Sequence, residues 1–328
     1  MAGQSGPVSS IDPYVHQFLV RNPDGTITRN PQPKFPNVPA TGESADSDVI
    51  SKDVPLNLAN KTSVRIYRPR NATKDSNLPL IIYYHGGGFI FFSPGSLPFD
   101  RFCLRMALEI PAVVVSIDYR LAPEHRLPAA YEDAVEGVMW VKNQALDHSN
   151  GEPWLRDYVD FSKCFIMGCS VGGNIVYNTA LRLSKLGSDQ IQPLKICGLI
   201  LNQPGFSGIQ RTASELRLID DPVVPLSVAD LVKELSLPRG ADGDHEYWNP
   251  MLKGLPESEI ESLKSQRWLV FFGGEDPLMD KQKEFLKMLE ESGVKFVAQF
   301  DENACHGNYL FDPDKALAVL KALREFIH

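Results

Sequence analysis

Ser170 stands at the centre of Gly168-Cys169-Ser170-Val171-Gly172, and His85-Gly86-Gly87-Gly88 lies upstream of it. Both motifs follow short apolar runs that read as buried strands, Cys164–Met167 and Leu78–Tyr84. A serine hydroxyl is a poor nucleophile near neutral pH. It needs a base at hydrogen-bond distance, and that base needs an orienting group. A strand-turn-helix placement holds the hydroxyl on a sharp, exposed turn. Glycines two residues to either side are required there, because neighbouring backbone passes too close for a Cβ. Ser170 also opens a helix, so the N–H of Val171 faces the same place with the helix dipole behind it. The glycine run offers further bare N–H groups, those of Gly87 and Gly88, to a developing oxyanion. No Lys-Ser/Thr pair follows the run and no G-x-G-x-x-G is present, which disfavours a phosphate-binding loop. The chemistry indicated is acyl transfer.

The base should be a histidine beyond a late strand. Of the 7 histidines, His16 and His328 lie near the termini and His148 in a polar loop. His85 belongs to the glycine run and is expected to brace it. His125 sits in Pro123-Glu124-His125-Arg126, and His245 in a long insertion. Only His306 follows the last strand and precedes the last helix. The orienting acid should leave the preceding strand, in Gly273-Gly274-Glu275-Asp276-Pro277-Leu278-Met279-Asp280. Asp276 is the natural choice, with Glu275 and Asp280 as rivals.

These residues need a scaffold, and the hydrophobic pattern supplies one. Alternating stretches from Val49 to Tyr67 predict a β-hairpin. Strands are then expected at Leu78–Tyr84, Ala112–Ile117, Cys164–Met167, Ile196–Leu201, Trp268–Phe272 and Val294–Phe300. Helical spacing marks Pro98–Glu109, Ala129–Asn143, Val171–Leu186, Lys281–Ser292 and Pro313–Ile327. Strands alternating with helices mean an α/β fold, a mostly parallel sheet covered on both faces. Residues 206–250 break the alternation and read as an insertion over the sheet, with one helix near Ser227–Leu237. Residues 1–46 read as an irregular arm with one helical turn around Pro13–Val20 and a strong turn at Asn22-Pro23-Asp24-Gly25. Phe89, Phe91 and Phe92 either line an apolar entrance or join the core. Leu216, Leu218, Val223, Val224, Leu231 and Leu235 either roof the site or pack as helical core. Asp220-Asp221 reads as a solvated turn.

The chain has 328 residues, 43% hydrophobic and 23% charged, enough for a large core in one domain over 1–328. A formal charge of −8 without any basic run argues against nucleic acid as a partner. The 5 cysteines show no C-x-x-C pair or metal-ligand spacing, so no metal is expected, and a reducing, cytoplasmic setting fits. Met1–Ser10 lacks a signal-peptide core, and no apolar run reaches a membrane span. The sequons at Asn60 and Asn71 read as chance matches.

The chain resembles the plant carboxylesterase family, in the hormone-sensitive-lipase-like branch of the α/β hydrolases, nearly end to end. The resemblance rests on Asn22-Pro23-Asp24-Gly25-Thr26-Ile27-Thr28-Arg29, on His85-Gly86-Gly87-Gly88-Phe89 and on the run Asp118-Tyr119-Arg120-Leu121-Ala122-Pro123-Glu124-His125-Arg126. It also rests on Gly168-x-Ser170-x-Gly172-Gly173-Asn174 and Asp276-Pro277-Leu278-Met279-Asp280. It implies an α/β-hydrolase fold whose cap comes from about 1–46 and 206–250. It implies Ser170, Asp276 and His306 as a catalytic triad and the N–H groups of Gly87, Gly88 and Val171 as an oxyanion hole, with no cofactor. The chain order Ser…Asp…His matches that fold. Residues 118–130 are then structural, and Glu124 and His125 stay out of the site. The expected activity is hydrolysis of small to medium carboxylic esters. The family also holds dehydratases and cyclases, and a receptor that lacks the catalytic histidine; His306 weighs against the receptor. Val171 departs from the usual Ala or Ser and should narrow the acyl side of the pocket. The physiological ester, and whether the chain is a monomer or a dimer, are not readable.

Overall fold

The computed structural model describes residues 8–30, 35–43 and 46–328. Residues 1–7, most of the Met1–Ser10 reading, and 31–34 and 44–45 of the arm fall outside them. Two three-residue strands, β1 (Leu19–Arg21) and β2 (Ile27–Arg29), pair antiparallel around the Asn22–Gly25 turn. The helical turn before them, α1, covers only Pro13–His16; Phe18 then takes a positive φ of 55° and the chain becomes extended. The arm thus has the expected helical turn, shorter than predicted, and the expected tight turn, which closes a hairpin that was not predicted.

Among the described residues the main sheet has 8 strands. Its antiparallel edge is the expected hairpin, β3 (Val49–Asn57) and β4 (Thr62–Pro69). The parallel part holds β5 (Leu78–Tyr84), β6 (Val113–Asp118), β7 (Val159–Cys169), β8 (Ile196–Asn202), β9 (Arg267–Glu275) and β10 (Phe296–Cys305). The spatial order is β10-β9-β8-β7-β5-β6-β4-β3. β7 starts earlier than its apolar run predicted, because polar residues at Asp160–Lys163 hide its first turn of ladder.

Successive strand residues face opposite sides. Ile82, Val115, Ile166, Leu199 and Val270 face one layer of helices, and Ile81, Val114, Met167, Ile200 and Leu269 face the other. The first layer contains α3 (Ala129–Leu146), α5 (Val171–Leu186) and α9 (Met279–Glu291), packing through Val138, Ile175 and Phe285. The second contains α2 (Leu97–Glu109) and α10 (Pro313–Ile327), packing through Phe102, Met106, Leu320 and Leu323. Each fully buried side chain of this kind contributes roughly 1.5–3 kcal/mol. Shortening Ile166 to alanine would cost about 2–5 kcal/mol.

Short helices α4 (Pro153–Arg156), α6 (Ala213–Arg217) and α8 (Glu257–Lys264) join α7 (Leu226–Ser236). Neither α6 nor α8 was expected; one is too short for a period and the other mostly polar. Asp221 is buried rather than solvated. Its Oδ1 accepts the N–H groups of Val223 and Val224, at 2.8 and 2.7 Å.

Candidate active site

Six parallel strands end at the same border of the sheet, and the next residue after each is His85, Tyr119, Ser170, Gln203, Asp276 or His306. The register explains the alignment. Tyr84 pairs with Gly168, Cys169 with Asn202, and Glu275 with Cys305. Carboxyl ends of parallel strands are where open α/β sheets place their ligands.

Ser170 caps α5 with φ 52° and ψ −125°, a backbone that a residue with a Cβ rarely adopts. The turn is over-determined. Ser170 N–H donates to Asn202 O at 2.9 Å, and Ser170 O accepts from Gly205 at 2.8 Å and Gly173 at 2.9 Å. A Cβ on Gly172 would lie 2.1 Å from Tyr84 O, so this glycine is obligatory.

His306 bridges the other two predicted residues. Its Nε2 lies 3.0 Å from Ser170 Oγ and its Nδ1 2.9 Å from Asp276 Oδ2. A carboxylate only accepts, so Nδ1 carries the proton and Nε2 faces the serine hydroxyl as acceptor. Asp276 is fully buried; its Oδ1 also accepts Leu278 N–H at 2.9 Å, and its Oδ2 accepts Gln282 Nε2 at 3.0 Å. Burial disfavours a charged His306 ring. The charge and hydrogen bond of Asp276, with a smaller effect of Asp221, outweigh that and hold its pKa above the usual 6.5. Of the rival acids, Glu275 pairs with Arg217 at 2.8 Å and Asp280 accepts Ser214 N–H at 2.8 Å.

The glycine run lies against this line. A Cβ on Gly86 would sit 3.1 Å from Ser170 Cβ, and Gly87 has a φ of 113°. The carbonyl of Gly87 accepts Ile90 and Phe91 N–H at 3.0 and 2.9 Å. Among the described residues, the N–H groups of Gly87, Gly88 and Val171 make no hydrogen bond. His85 braces the run from behind. Its ring stacks on Tyr119 at 4.4 Å, its Nδ1–H donates to Gly86 O at 2.7 Å, and Tyr119 Oη donates to His85 O at 2.8 Å. Burial pushes its pKa down to about 4, so the brace is neutral.

A cavity of about 340 Å³ opens over Ser170. Phe91 and Phe92 line it, whereas Phe89 is core, edge-on to Tyr131 and Trp248. Val223 and Val224 line it too, while Leu231 and Leu235 are core and Leu216 is exposed. Sequence reasoning missed Gln17 from the arm, and Val228, Ala229 and Val232 on one face of α7. The spacing of the α7 residues is helical, so the pattern was present but its direction was not. Residues 118–130 carry no side chain into the cavity. Arg120 pairs with buried Asp133 at 2.8 Å, and Glu124 pairs with Arg29 of β2 at 2.7 Å. Cys169 is buried, with Tyr83 Oη 3.2 Å from its sulfur, and burial pushes its thiol pKa up. All 5 cysteines are free, Cys305 being exposed. No helix among the described residues is long and apolar enough to cross a membrane, and no group of three His, Cys, Asp or Glu among them could hold a metal.

The family model of the alpha/beta hydrolase fold matches residues 81–310. A 3-O-acetylpapaveroxine carboxylesterase of Papaver somniferum is 45% identical over 96% of this chain and 99% of its own. Carboxylesterase 20 of Arabidopsis thaliana is 41% identical over 98% of both chains. A 2-hydroxyisoflavanone dehydratase of Glycyrrhiza echinata is 32% identical over 100% of both. Among solved structures, an esterase of Pyrobaculum calidifontis superposes with a TM-score of 0.70 at 27% identity, covering 84% of each chain.

Proposed function

The chain belongs to the plant carboxylesterase family of α/β hydrolases, and we propose that it hydrolyses carboxylic esters through an acyl-enzyme on Ser170. The observation that carries this reading is the continuous line Ser170 Oγ, His306 Nε2, His306 Nδ1, Asp276 Oδ2, with contacts of 3.0 and 2.9 Å. Ser170 Oγ attacks the ester carbonyl as His306 Nε2 takes the hydroxyl proton. The oxyanion accepts hydrogen bonds from the N–H groups of Gly87, Gly88 and Val171. Removing such a donor typically costs about 10²–10³ in rate. Collapse breaks the bond to the alcohol oxygen, which leaves with the proton from Nε2. Water then gives a proton to Nε2 as its oxygen bonds to the acyl carbon; the bond from that carbon to Ser170 Oγ breaks, Nε2 returns the proton to Oγ, and the acid and free serine are released. Asp276 keeps the proton on Nδ1 and stabilises the imidazolium.

The arm, about 1–46, and residues 206–250 act as a cap on a single domain, a reading supported by Gln17 and Phe35 lining the cavity together with Val223, Val228 and Val232. Val171 is buried against that cavity, and its branched side chain favours small acyl groups such as acetyl. The 5 free cysteines support a reducing, cytoplasmic setting. Ser170→Ala should lower kcat on p-nitrophenyl acetate by about 10⁵–10⁶-fold with an unchanged circular dichroism spectrum. Wild-type turnover by that variant, or failure of a fluorophosphonate to label Ser170, would remove the assignment.

The relative that is a dehydratase supports a second reading, elimination from a natural-product precursor with His306 as base and no acyl-enzyme. Conversion that survives Ser170→Ala but not His306→Ala would select it.

A further inference from the structure

Of the six residues that follow the parallel strands, Ser170, Asp276 and His306 enter the proposed reaction and His85 and Tyr119 brace the glycine run, which leaves Gln203. It is 4% exposed and holds a φ of 47°, in the left-handed region. Its N–H donates to Phe271 O at 2.9 Å, which locks the backbone to β9. Both ends of its amide are used. Nε2 donates to Cys305 O at 2.9 Å, and Oε1 accepts Gly307 N–H at 2.8 Å. A carbonyl can only accept and a peptide N–H only donate, so these partners fix which way the amide points. The residue between the two clasped peptides is His306.

That clasp stands where the sheet gives least support. Among the described residues β10 is an outer strand, paired with β9 on one side. Its pairing with β9 also slips between Asp301 and Cys305, just before His306. Gly307, immediately after, has a φ of 69°. The base is thus carried on an irregular strand end with no regular ladder around it. The amide of Gln203 replaces that ladder with one donor and one acceptor. Neighbours of Gln203 reach the other two members. Asn202 O accepts Ser170 N–H at 2.9 Å and Gly205 N–H donates to Ser170 O at 2.8 Å. Gln282 Nε2 lies 3.4 Å from Pro204 O and donates to Asp276 Oδ2 at 3.0 Å.

We propose that Gln203 is a positioning residue for His306, clasping the peptide groups on both sides of it so that the imidazole stays on the line from Ser170 to Asp276. This rests on His306 being the general base. Gln203 also borders the cavity, so a substrate-binding role is the rival to separate from it. A small misplacement of a reacting group can cost about 10²-fold in rate while leaving ground-state binding alone.

The test compares wild type, Gln203→Met and Gln203→Glu on p-nitrophenyl acetate, with kcat counted per fluorophosphonate-titrated site so that unfolded protein drops out. Methionine matches the length and makes neither bond. Glutamate keeps an acceptor for Gly307 N–H and loses the donor to Cys305 O. Gln203→Met should lose about 10–100-fold in kcat with KM within about twofold, and Gln203→Glu should fall between it and wild type. The low-field proton resonance of the His306 Nδ1–H bond should broaden or vanish in Gln203→Met. Wild-type kcat per site, a loss confined to KM, or an unchanged resonance would overturn the proposal. The resonance does not depend on turnover. If Ser170→Ala keeps its activity, the hydrolytic reading falls, while the resonance in Gln203→Met still decides whether the clasp holds.

Discussion

The border of the sheet and the layer above the cavity are built from different materials. At the border, Ser170, Asp276 and His306 each sit one residue past a hydrogen-bonded strand and are joined by short side-chain contacts, with Asp276 and His306 buried and Ser170 half-buried. The arm is tied to the layer above the cavity by hydrogen bonds of similar length that are mostly exposed to solvent. Asp220 accepts from Ser9 Oγ at 2.6 Å and Ser10 N–H at 2.9 Å, Ser227 Oγ donates to Ile11 O at 2.7 Å, and His16 Nε2–H donates to Pro222 O at 3.0 Å. That layer is also tied to the body, through Asn174 Nδ2 of α5, which donates to Tyr247 O at 2.7 Å, and through Ser214, whose N–H donates to Asp280 Oδ2 and whose Oγ donates to Pro277 O, both at 2.8 Å. Chemistry is placed where geometry is over-determined, and selectivity where small changes are tolerated.

Changes at the border should cost far more than changes above it. Asp276→Asn leaves the shape intact but puts a donor opposite Nδ1–H. It should lower kcat/KM by about 10³–10⁴-fold, measured on a folded variant. Acidification attacks the same bond more gently. In the proposed reaction neutral His306 is the base, and its folded pKa lies above 6.5, so kcat/KM should fall about tenfold per pH unit below that pKa. The sign for stability is opposite. A raised folded pKa makes the His306–Asp276 pair stabilising below pH 6.5, and that contribution is lost as pH rises through the folded pKa. A rate profile whose acid limb lies below 6.5 would contradict the geometry of the pair.

Above the border the effects shrink. Val171→Ala removes two methyl groups from the cavity wall and should raise the hexanoate-to-acetate ratio of kcat/KM by about tenfold. An unchanged ratio would move the acyl side of the pocket away from Val171. Asp220→Ala unties the arm at exposed bonds and should raise KM by only about twofold, with kcat unchanged. A kcat loss comparable to that of Asp276→Asn would erase the distinction between the two regions.

The same division governs what the sequence discloses. Apolar runs ending at Tyr84, Met167, Phe272 and Phe300 marked the strands, and the motifs and chain order beyond them made His85, Ser170, Asp276 and His306 legible, although β9 and β10 run on to Glu275 and Cys305. Gln203 also follows a strand end, at Asn202, yet a glutamine after a strand looks like the start of any loop. Its role depends on the slipped register of β10, which no periodicity shows. The hairpin of β1 and β2 escaped because three residues are too few for alternation, although its turn was plain. Asp221 was misread because an acidic pair suggests water. Its carboxylate is spent instead on two backbone N–H groups that the fold buries.

The outer position of β10 has a thermal consequence. Ser170 follows β7, a strand flanked on both sides, and His306 follows the strand at the rim, where Val297 and Phe300 are 48% and 52% exposed. Rim strands open first when a protein is warmed, and central ones open with the whole molecule. Amide hydrogens of β10 should therefore exchange with deuterium well before those of β7. Heat would strip the base from the nucleophile while the rest of the sheet is still intact, and cooling would restore it.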